Sequence, residues 1–176
     1  MLKEFKKNLL RLTLPVGFSV LEVVMALFIV TIGVLGVASL ALQNLQVQYI
    51  NKNVLIAAQL AQEGLELVKN VRDQNWLILG NSWDQDLVND GTYAIDYQGR
   101  SSINSVVNLI SEAGARLYLD SNGFYTHTVT ATSTNFSRLI TVAQQANYLD
   151  INCTVRLAER GQSHDYVAKI YLYDWR

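Results

Sequence analysis

The residue best placed to do chemistry is Glu22, a lone carboxylate at the mouth of an uncharged apolar run. It closes the hexapeptide Gly17-Phe18-Ser19-Val20-Leu21-Glu22, and Val23 to Leu42 behind it carry no formal charge. That run holds about 20 residues, enough to cross a hydrocarbon core of roughly 30 Å as a helix. A charge on such a helix costs a few kcal/mol on insertion scales, so an acid kept there is expected to find a partner of opposite charge. Upstream, Lys3, Lys6, Lys7 and Arg11 face a single acid, Glu4. This is the basic flank expected on the cytoplasmic side of a membrane helix.

Other reactive side chains are scattered. His127 and His164 are far apart and have no neighbouring cysteine or acidic ligand pattern. The single cysteine, Cys153, excludes an intrachain disulfide. It falls within an alternating strand pattern and reads as a small buried hydrophobe. Asp84, Asp86 and Asp90 suggest oxygen ligation, but Val88 and Asn89 stand where a calcium loop needs ligands and glycine. They read as solvated loop acids, with no metal. There is no phosphate loop, zinc spacing or nucleophile elbow. The expectation is no cofactor and no catalysis, with the chain the substrate of an enzyme and not itself one.

Gly17-Phe18, with Glu22 four residues beyond Phe18 inside Phe-Ser-Val-Leu-Glu-Val-Val-Met-Ala-Leu, resembles the prepilin cleavage and methylation signature of type IV pilin-like proteins. The resemblance covers about a sixth of the chain and leans toward minor pilins and secretion pseudopilins. It implies cleavage between Gly17 and Phe18 by a prepilin peptidase and methylation of the new amine on Phe18. It also implies that Glu22 pairs with the amino terminus of a neighbouring pilin subunit during filament assembly, with the cytoplasmic-membrane assembly machinery as a further partner. Before assembly the subunit would be single-pass in the inner membrane with its head outside; afterwards it would belong to a pilus or pseudopilus. Pro15-Val16 departs from the family, many members of which place a basic residue before the glycine. A weak small-residue site, Ala38-Ser39-Leu40-Ala41, is the mark of the secretory alternative. A second alternative is a membrane-anchored extracytoplasmic binding module outside any filament, with Tyr166, Tyr171, Tyr173 and Trp175 as its contact residues.

The rest of the chain must hold this segment in place. The 176 residues fit one domain plus an anchor, and a net charge of −1 gives no argument for nucleic acid. The reading divides it into a leader (1–17), a transmembrane half-helix (18–42), an amphipathic half-helix (43–72) and a β-rich head (73–176). Leu45, Tyr49, Ile56, Leu60, Leu67 and Val71 keep helical spacing, predicting a helix of about 50 residues, on the order of 75 Å long. Gly33, Gly36 and Gly64 are expected to weaken it without breaking it. Turn clusters, including Asn75-Trp76, fill Asp73 to Gly91.

Thr92–Tyr97 reads as the first strand, and Ser101–Ala115 as a short helix or packed loop. Arg116–Leu119 and Phe124–His127 flank a turn with an Asn-Gly signal. Thr128–Asn135 is open between strand and connection, and Ser137–Ala143 is a strand. From Leu149 to Ala158, apolar residues alternate with polar ones, and Ala168 to Tyr173 returns in the same period. The expected fold is α+β and pilin-like: a long N-terminal helix packed on an antiparallel sheet of about four or more strands.

Overall fold

The computed structural model describes residues 17–87, 91–97, 105–107, 109–129, 132–159 and 161–175. The basic leader before Gly17, the Val88-Asn89-Asp90 stretch and the start of the Ser101–Ala115 segment lie outside them. The chain divides into two compact units, residues 1–49 and 50–176.

Helix α1, Val20–Leu77, is 58 residues long and contains no proline. In the first unit its side chains are exposed along its length. It is the single helix among the described residues long and apolar enough to cross a membrane, and none of that apolar window is buried. This is the surface a bilayer or other helices would cover. The chain is compatible with a single-pass membrane protein.

In the second unit the helix packs on an antiparallel sheet, confirming the α+β class. Seven strands form among the described residues: β1 Gly91–Ala94, β2 Ser105–Val106, β3 Arg116–Leu119, β4 Tyr125–Thr126, β5 Thr132–Gln144, β6 Tyr148–Glu159 and β7 Gln162–Tyr173. β5 is the hub. One of its edges is taken by β3 at Thr132–Ser137 and by β1 at Ile140–Val142; the other pairs with β6. β6 and β7 form the long hairpin that the alternation predicts, in unbroken register from Tyr148 opposite Tyr173 to Glu159 opposite Gln162. Ser101–Ala115 contributes β2 and a 3-10 turn, Ala113–Ala115, where a short helix or packed loop is expected.

The helix face differs from the predicted stripe. Leu60 and Val71 are buried, but Leu45 and Tyr49 are exposed, and Ile56 and Leu67 only flank the core. The seam itself is made of small residues: Ala57, Ala61 and Gly64, continued by Val68. The cause is close approach. A Cβ on Gly64 would lie 2.6 Å from Cys153 Sγ, 3.1 Å from Ile140 Cδ1 and 3.2 Å from Arg138 Cδ. Gly64 is therefore a packing residue, where sequence alone gives only its helix-weakening tendency.

Gly64→Ala is expected to destabilise the head by up to about 2 kcal/mol, the overpacking penalty of roughly 1–3 kcal/mol offset by about 1 kcal/mol of helix propensity. In a Cys153→Ala background the nearest atom is gone, and the same substitution should become neutral or stabilising. Denaturation of the four chains of that cycle, followed by tryptophan fluorescence, measures the coupling.

The helix also runs past Arg72 to Leu77, so Asn75-Trp76 is its last turn and not a loop cluster. Buried Asn75 ends it by donating from Nδ2 to the carbonyls of Gln85 (2.7 Å) and Trp83 (3.3 Å). Trp76 packs edge-on against Trp175 at 4.2 Å, with the Arg72 guanidinium 4.5 Å from its ring.

Candidate functional site

Gly17, Phe18 and Ser19 precede the first helical residue and are non-helical and exposed. Nothing lies within 4 Å of a Cβ built on Gly17, and Phe18 is 80% exposed. The Gly17–Phe18 peptide thus lies outside the helix and is exposed.

Ser19 is the N-cap. Its Oγ accepts the Leu21 N–H at 3.3 Å, and its carbonyl accepts the Val23 N–H at 3.2 Å. With Glu22 three residues on, the local sequence is the Ser-x-x-Glu capping box. Glu22 lies in the first turn, where the helix dipole favours an anion, and among the described residues no cation is within ion-pair distance of it. The capping role is legible in the sequence, in the serine-to-glutamate spacing within Gly17–Glu22. The Ser19 cap lies C-terminal to the Gly17–Phe18 bond.

A second constellation lies under the distal helix. Arg138, on β5, is fully buried and in phase with apolar Phe136, Ile140 and Val142. It donates from Nη1 to the Leu60 carbonyl (3.2 Å) and from Nη2 to the Ile95 carbonyl (2.8 Å), and Nη1 stands 3.4 Å from Glu63. One side chain therefore ties helix, β5 and the end of β1 together. Beside it, Cys153 is buried as expected, and that burial pushes its thiol up to about 12, which leaves it inert.

Asp96 accepts from Thr126 Oγ1 (2.7 Å) and the His127 amide (2.9 Å). His127 Nδ1 lies 3.2 Å from the Arg116 carbonyl, so the ring proton belongs on Nδ1. Burial first, and the nearby Arg138 charge second, push His127 down to about 4.

The unfolded chain takes up this proton near pH 6.5 and the folded chain only near 4, so stability is complete above about 6.5 and drains as pH falls toward 4. The loss is up to about 3 kcal/mol. Denaturation midpoints at pH 7 and pH 5 should differ less in His127→Gln than in the parent chain.

Among the described residues no group of three or more acidic, histidine or cysteine side chains could hold a metal. The elements define a class: an α+β head on a helix whose exposed apolar segment can cross a membrane. Comparison with protein-family models, with curated proteins and with solved structures found no match.

Proposed function

We propose that this chain is a structural subunit, of the minor-pilin or pseudopilin kind, of a type IV pilus-like filament or secretion pseudopilus. The observation that carries the reading is the exposed, non-helical Gly17–Phe18 bond set just before a capped, proline-free helix with Glu22 in its first turn. A prepilin peptidase would hydrolyse that bond, adding water across it to leave a carboxylate on Gly17 and an ammonium on Phe18; methylation keeps the positive charge.

The new cation lies at a helix N-terminus, where the dipole already presents positive charge, so it gains most from a nearby anion. Glu22 has the opposite need once the helix enters an apolar bundle. A buried carboxylate left unpaired costs several kcal/mol, so the axial register that brings Glu22 of one subunit to the ammonium of its neighbour is favoured over others. Moving the apolar segment from lipid to a bundle of like helices exchanges one apolar surrounding for another. Selectivity then falls to packing and to this pair.

Fractionation of mechanically sheared filaments tests the reading. The chain, shortened to begin at Phe18, should sediment with the filaments or with a secretion-machine complex. Recovery solely as an uncut protein in the membrane fraction would indicate an anchored binding module instead.

A further inference from the structure

The edge of the head sheet at β7 is built to take another strand. β7 pairs only with β6 among the described residues, and it contains no proline and no register break. Its backbone orientation follows from the neighbouring hairpin. The Gln145 N–H bonds the Tyr148 carbonyl at 2.9 Å, so by alternation the even-numbered residues of β6 bond toward β5 and the odd-numbered ones toward β7. In β7 the even-numbered residues then bond to β6. Asp165, Val167, Lys169 and their odd-numbered neighbours point N–H and C=O out of the sheet. Val167 is 62% exposed, and Tyr171 and Tyr173 about half. Such an edge is a template for pairing unless charge defends it.

Here the charges do not defend it, because each is already paired within the chain. Asp165 holds Arg156 at 2.6 Å and Lys169 holds Asp150 at 2.7 Å. They also make the edge self-complementary. Setting Val167 opposite Val167 of a second, antiparallel copy places Asp165 opposite Lys169 and Lys169 opposite Asp165. The strand then overlaps from Gln162 opposite Leu172 to Leu172 opposite Gln162, and the outward backbone groups face each other. Across the four strands the charges run Arg156, Asp165, Lys169, Asp150, alternating in sign. Displacing the register by two residues in either direction removes both opposed pairs. Displacing it by four sets Asp165 against Asp165 or Lys169 against Lys169, which destabilises a sheet.

We propose that β7 is a homodimer edge, joining two copies of this chain into one continuous sheet about a two-fold axis at Val167. The contact is isologous and closed, so it forms a pair and leaves nothing to propagate. It rests on the head alone; its failure would leave the filament reading untouched. Strand pairing of this size is modest, and confinement of both copies to one bilayer raises their effective concentration.

The test is oxidative cross-linking of full-length protein in lipid nanodiscs or vesicles, where the buried Cys153 is silent. Paired Cα atoms at the two-fold should lie about 5.5 Å apart, within disulfide reach. Val167→Cys is expected to give a disulfide-linked dimer as the main product. Ser163→Cys and Tyr171→Cys should each stay largely monomeric alone and cross-link when mixed. Adding Lys169→Glu to Val167→Cys should lower the yield about tenfold, since like charges then oppose each other twice. A Val167→Cys chain that maleimide labels but oxidation leaves monomeric would overturn the proposal. So would equal cross-linking at all three positions, or capture of a different protein.

Discussion

Arg138→Ala is expected to cost the head about 3–5 kcal/mol, the range for breaking a buried charged network and opening a void in a core. Arg138 is 0% exposed, and its guanidinium serves Leu60, Ile95 and Glu63 together. Truncation empties the space beneath the helix seam, strips the Ile95 carbonyl of this donor and leaves Glu63 without its cation. Native domains are stable by only about 5–15 kcal/mol, so the variant should unfold at markedly lower denaturant or fail to accumulate. Arg138→Met is the informative partner. It keeps most of the volume and should cost only about 1–3 kcal/mol, the penalty for a buried acceptor left unmade. Equal effects of the two would show that the lost hydrogen bonds, and not packing, set Arg138's contribution.

The second large effect concerns Glu22. Glu22→Ala removes the first-turn anion but leaves the Ser19 cap and the exposed Gly17–Phe18 bond. Processing should therefore continue, and the mature chain should accumulate in the membrane. Its recovery in sheared filaments should fall by at least about tenfold, because losing an ion pair worth more than about 1.4 kcal/mol in an apolar core shifts the docking equilibrium by that factor. Glu22→Gln discriminates further. It retains hydrogen bonding without charge, so incorporation near the parental level would mean that the register is set without an ion pair.

Much of the architecture is written in local patterns. The period-two alternation from Leu149 to Leu157 becomes the buried face of β6, and Ala168, Ile170 and Leu172 become its match on β7, because a half-buried antiparallel strand imposes that period. The apolar run behind Glu22 likewise becomes unbroken helix. What stayed illegible depends on tertiary contact. Arg138 sits in an apolar phase of β5, a visible anomaly, but only the fold shows that two carbonyls and Glu63 surround it. Gly64 looks like a weak point of a helix until Cys153 is placed against it. The helix seam is shifted from the large apolar residues to Ala57 and Ala61, since the closest approach selects small side chains. Asn75 has the composition of a turn, yet it ends the helix by bonding carbonyls eight and ten residues further on. At the other end, the Ser19 cap is legible in its spacing to Glu22, because capping is a local contact.

Intact-mass and amino-terminal analysis of the protein isolated from its native membrane bears most directly on the proposed role of the Gly17–Phe18 junction. The account predicts a chain that begins at Phe18 and carries a methyl group on its amine. A chain that still begins at Met1, or one that begins near Leu42, would contradict it.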